Sequence, residues 1–207
     1  GRPQVRDRIA YVLSFGGHGN LPRVLRYLCT GLEPAAAGAP GRPRPPHDYA
    51  LAVVLHQAAE LAVPAGQVAP LRQAVETFLQ ASALSRTSPA GAARLFESAR
   101  AREAALPDPA RTLVKHVNDR DVAALGRLLV PYLDRLGQEA SLSPDRSMPP
   151  SAPVYLLHGS DDNVIPAAES ALLAQHLREH TRVRQLLSGY LTHVDLAARP
   201  TAKDTWD

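Results

Sequence analysis

Three short apolar runs stand apart from a chain whose apolar residues otherwise recur every three or four positions. They are Ile9 to Phe15 (IAYVLSF), Val154 to Leu157 and, broken by Arg184 and Gln185, Val183 to Leu187. Each is followed by a turn containing glycine: Gly16-Gly17-His18-Gly19, His158-Gly159-Ser160-Asp161-Asp162, and Ser188-Gly189. Compact apolar runs that stop abruptly in turn residues predict buried strands of a parallel sheet. Between the second and third runs, Ala167 to His180 predicts a helix opened by Pro166 near its first position, with Leu172, Leu173 and Leu177 inward.

The remaining chain reads as helix. Leu21 to Thr30 carries a stripe at 21, 24, 25 and 28, with Gly31 placed as a C-cap. From His47 to Gly137 five further helices are predicted: His47–Leu61, Gln67–Ala83, Pro89–Leu106, Pro109–Asn118 and Asp121–Leu136. Pro131 predicts a kink near the end of the last. Two stretches dense in proline, 32–46 and 138–152, read as solvated connections. An all-helical block between strands of one sheet is an insertion, which divides the chain into 1–31, 32–150 and 151–207. The expected class is α/β, a parallel sheet carrying a large helical insertion.

Composition narrows the function classes. Lys115 and Lys203 are the only lysines, and the arginines lie scattered among acids at a net charge of +3. Without a basic stripe and interleaved aromatics, no nucleic-acid partner is expected. The single cysteine, Cys29, allows no intrachain disulfide and reads as a small core residue. No run is long enough to span a bilayer. Nothing fixes the compartment, with cytoplasmic as the default, or the oligomeric state. His176-Leu-Arg-Glu-His180 matches an inverted zinc-protease signature. It lacks a plausible downstream ligand and reads as a chance match, so neither metal nor cofactor is expected.

The candidate chemistry lies in HGSDDNVIP (His158 to Pro166) and the loop LSGYLTHVDL (Leu187 to Leu196). An acid and a histidine each stand just past a strand end, one helix apart, where open α/β sheets place their sites. Gly159-x-x-Asp162, then Asn163-Val164-Ile165-Pro166, then strand, helix, strand and a loop His193 resembles the C-terminal part of an α/β-hydrolase. The resemblance implies Asp162 as the acid, third after Gly159 in preference to Asp161, and His193 as the base. It also implies a small acyl or ester substrate and a cap-like role for the helical insertion. The bland alternative is that Asp161 and Asp162 cap the next helix and His193 is an ordinary loop histidine.

That family also needs a nucleophile, and no G-x-S-x-G occurs in these residues. With Gly1 in place of an initiator methionine, the chain is expected to be a fragment, with its nucleophile upstream and no acyl hydrolysis of its own. The Phe15-Gly-Gly-His-Gly19 run could be read as an oxyanion loop, but tight turning at the sheet edge is the preferred reading. His18 could line the pocket. Two alternatives remain: an enzyme with an Asp nucleophile, of dehalogenase or epoxide hydrolase type, and a non-catalytic binding module.

Overall fold

The computed structural model describes residues 8–35 and 40–191. Its elements are β1 (Val12–Phe15), α1 (Leu21–Thr30), α2 (Asp48–Ala62), α3 (Ala65–Leu84), α4 (Pro89–Ala105), α5 (Ala110–Asn118), α6 (Val122–Leu129), β2 (Val154–Gly159), α7 (Ala167–Arg178) and β3 (Val183–Ser188). The class is α/β, with a parallel sheet in the order β1-β2-β3 and a large helical segment, α2–α6. The chain divides into two compact units. One comprises 1–27, 32–44 and 137–207, the other 28–31 and 45–136.

In the sheet unit, Val12, Val154 and Val183 stand in register across the three strands. Side chains alternate between the faces of a strand. One face therefore gathers Val154 and Leu156, which form a buried cluster with Leu173, Ala174 and Leu177 of α7, flanked by Val12 and Val183. Each large aliphatic side chain buried there contributes roughly 1.5–3 kcal/mol. The opposite face carries Leu13, Phe15, Tyr155 and Leu186, all exposed. The expected strands are thus present, but among the described residues α7 covers only one of their faces. A second difference lies at the end of β2. His158 and Gly159, expected in the turn, continue the strand and pair with Leu187 and Ser188.

Helix α1 spans the predicted residues. Asn20 caps it by accepting the Arg23 N–H at 3.0 Å, and Gly31 takes the left-handed conformation at φ 68°. The Ser143 hydroxyl, in the short 3-10 turns that follow residue 139, accepts the Leu21 N–H. The stretch 138–152, expected as a plain return to the sheet, therefore helps satisfy the orphan amides at the start of α1.

The helical unit packs on small residues. Ala50, Ala58, Ala74, Ala81, Ala92 and Ala99 are buried among Leu51, Leu55, Leu71, Val75 and Phe78. Gly126 of α6 lies against the backbone of Cys29, where a Cβ would come within 2.2 Å of the carbonyl oxygen. Only glycine permits that approach. α6 ends at Leu129, and a 3-10 turn over Val130–Arg135 takes up the position of Pro131, which cannot donate to a continued α-helix. Arg120, at φ 55°, stacks over Phe78 and Phe96 and pairs with Asp48. Among the described residues no helix is long and apolar enough to cross a membrane.

Candidate functional site

At the C-terminal end of β2 the chain turns through Ser160 to Ile165 before Pro166 and α7. Asp162 is buried in this turn. Its Oδ1 accepts the Val164 and Ile165 N–H groups, each at 2.9 Å. A short acidic side chain bonding amides two and three residues ahead is an Asx-type turn, so Asp162 shapes its own loop. It does not cap α7, whose N-cap is Pro166. The other oxygen, Oδ2, lies 3.4 Å from Nε2 of His158, which is equally buried. That nitrogen is 2.8 Å from the Ile165 carbonyl oxygen, which can only accept, so Nε2 carries the hydrogen. Asp161 differs completely: its side chain is 82 % exposed and sits 3.7 Å from an Arg44 nitrogen. Burial and amide bonding single out Asp162 of the two.

Tyr27 holds the same loop from α1 by donating its hydroxyl to the Asn163 carbonyl at 3.1 Å. Burial pushes its pKa up to about 12, from an ordinary value of 10.0. The folded state therefore favours the neutral phenol. The stability it contributes is complete below pH 10 and is lost as pH rises from 10 towards 12. A tyrosinate absorbance titration is expected to show a late step near pH 12 that is absent in Tyr27→Phe. An equal late step in that variant would rule Tyr27 out as its source.

A second polar cluster fastens the glycine loop after β1. Glu169, in the first turn of α7 and completely buried, accepts the Gly19 and Asn20 N–H groups through Oε2, each at 3.1 Å. It also takes Arg23 in a two-pronged contact, Nε to Oε1 at 2.7 Å and Nη2 to Oε2 at 3.0 Å. Asp145 receives Arg23 Nη1 and the Asn20 side-chain amide. Burial alone disfavours the Arg23 charge, but the bonds and field of Glu169 and Asp145 outweigh it and raise its pKa. The Gly19 and Asn20 amides are thus committed to a carboxylate, which leaves them unable to serve an oxyanion. Gly16 adopts φ 61° and donates to the Leu157 carbonyl, consistent with tight turning at the sheet edge.

His18 donates Nε2–H to the Leu142 carbonyl at 3.0 Å and lines an apolar cavity of about 470 Å³ beside β1. His193 lies outside the described residues. His176 and His180 have ring centroids 5.5 Å apart, and the His176 Nε2, expected towards the outer flank, is buried without a hydrogen-bond partner. Among the described residues no three His, Cys, Asp or Glu side chains gather to hold a metal ion.

Family models, curated proteins and solved structures were all compared with this chain, and none matches it. The three-stranded parallel sheet and helical segment establish the α/β class.

Glu169, Arg23, Asp145 and His158 escaped the sequence reading. Glu169 and Arg23 are separated by 146 positions, and a glutamate in a first helical turn ordinarily suits the helix dipole from the surface. His158 adjoins a glycine, which favours reading it as part of the turn. Its one available signal was its even spacing from Val154 and Leu156, which places it on the covered face.

Proposed function

We propose that this chain carries the acid and base of a hydrolase acting on an ester or related acyl substrate, with Asp162 orienting His193. The carrying observation is the burial of Asp162 at a strand's C-terminal end, with one carboxylate oxygen bonded to two backbone amides. A carboxylate held this way stays in place and presents its other oxygen in a fixed direction, which a triad acid requires. A further support is the pairing of Gly159 with Ser188 and the bond from Ser160 N–H to the Ser188 carbonyl. The Asp162 turn and the loop leading towards residue 193 leave the sheet from neighbouring strand ends.

In this reading Asp162 accepts the Nδ1–H of His193, fixing its tautomer. Nε2 is then free to take a proton from a serine hydroxyl as that oxygen attacks the acyl carbon. The same nitrogen returns the proton to the leaving group, and the carboxylate steadies the imidazolium between the two transfers. The serine and the oxyanion donors belong to polypeptide beyond these residues. The helical segment α2–α6 is assigned to substrate selection.

Proton NMR tests the pairing without any need for turnover. A histidine N–H bonded to a carboxylate is expected far downfield, assigned to His193 by its loss in His193→Gln. Asp162→Asn should remove it as well, whereas His158→Gln, which alters the other imidazole near Asp162, should leave it. Its absence from the folded wild-type chain, or its persistence in Asp162→Asn, would end the proposal.

A further inference from the structure

His158 stands where the pattern of β2 calls for an apolar side chain. It follows Val154 and Leu156 at even spacing, on the face that α7 covers, and it is as buried as they are. An imidazole withdrawn from water costs free energy unless its N–H finds an acceptor. The acceptor here belongs to the Asp162 turn: Nε2 donates to the Ile165 carbonyl at 2.8 Å. The same nitrogen faces Asp162 Oδ2 at 3.4 Å, with both side chains shut off from solvent. That distance is too long for a second strong hydrogen bond, but an N–H dipole and a carboxyl oxygen attract across it when no water screens them. Three contacts thus close a ring: His158 to the Ile165 carbonyl, the Ile165 N–H to Asp162 Oδ1 at 2.9 Å, and Asp162 Oδ2 back to His158.

We propose that His158 is a positioning residue, whose Nε2–H sets the plane of the Asp162 carboxyl group so that Oδ2 meets His193. The Val164 and Ile165 amides hold Oδ1 and His158 meets Oδ2, so both ends of the group are addressed. His158 also fastens the peptide whose own N–H bonds Oδ1. Oδ2 has lone pairs for two partners, so the contact with His158 leaves one direction for the Nδ1–H of His193. Alignment matters because a hydrogen bond weakens steeply as its angle closes. A small turn of the carboxyl plane would spoil the bond to His193 while the amides kept theirs. His158 reaches no reacting atom and acts only through Asp162. This role rests on the pairing of Asp162 with His193.

Two replacements in the full chain separate a donor from a filler. Glutamine can place an amide N–H where Nε2 stands, whereas methionine fills the space and donates nothing. With both variants folded by circular dichroism, the downfield His193 proton is expected in wild type and in His158→Gln, and lost in His158→Met. A signal that persists unshifted in His158→Met, or is lost from both variants, would reduce His158 to packing and overturn the proposal. Absence from wild type would overturn the Asp162–His193 pairing and this role with it, so the protein that lacks the signal tells the two failures apart. A second readout serves if His158→Met does not fold. In a long-range proton–nitrogen spectrum of wild type, the His158 hydrogen is expected on Nε2, and its resonance should move in Asp162→Asn, which changes the group at Oδ2. A hydrogen on Nδ1, or a resonance unmoved by Asp162→Asn, would overturn the proposal.

Discussion

Replacing Glu169 by alanine is expected to destabilise the sheet unit by somewhat less than the roughly 3–5 kcal/mol of a fully buried charge pair, because Glu169 is buried but the Arg23 side chain is 31 % exposed. The size follows from what the carboxylate holds. Two backbone amides, Gly19 and Asn20, lose their acceptor, and Arg23 loses its two-pronged partner. Asp145 retains its contact with Arg23, which limits the loss. Glu169→Gln should fall between wild type and Glu169→Ala, because an amide oxygen can still accept from backbone N–H groups while Arg23 keeps only Asp145 as a charged partner. Urea denaturation of the three proteins measures the order. A cost below about 1 kcal/mol for the alanine variant would show the cluster to be dispensable, as exposed ion pairs usually are. In a double-mutant cycle, Glu169→Ala and Arg23→Ala should be non-additive, since each change alone already removes the contact between the two side chains.

The second large effect is expected at Asp162. Asp162→Ala leaves the partly buried Val164 and Ile165 amides without their acceptor, each at the lower end of the roughly 1–3 kcal/mol that a fully buried unpaired group costs. Asp162→Asn retains a side-chain oxygen for those amides and should keep most of the stability. The two substitutions therefore separate structure from chemistry. Both abolish the carboxylate that the proposed triad needs, but only the alanine should loosen the loop. Hydrogen exchange at Val164 and Ile165 is the direct readout: fast exchange is expected in Asp162→Ala, and near wild-type protection in Asp162→Asn. Equal protection in all three proteins would mean that the amides, and with them the loop, depend on other groups.

These two residues also mark how far residue patterns reach. The turn at Asp162 was legible because its signal is local. A glycine three positions before it and an apolar pair with proline after it describe one turn, and the turn's hydrogen bonds run only two or three residues ahead. Glu169 was not legible, because its partners stand in another part of the chain and a glutamate there has an ordinary surface explanation. His158 was misplaced for a related reason: local propensity assigned it to the turn, whereas pairing with Leu187 extends the strand through it.

Periodicity and capping residues by themselves determined the element order, the bounds of α1 and the three parallel strands. Those features depend on apolar spacing and on a few residues with restricted backbones, such as Gly31 and Pro131, so neighbouring residues suffice to specify them. Tertiary structure alone decided that Asp162 meets the buried His158 and that the glycine loop is clamped by Glu169. The first depends on strand pairing through His158 and the second on groups far apart in sequence meeting in space, and the cost of leaving a buried donor or charge without a partner is what selects the arrangement.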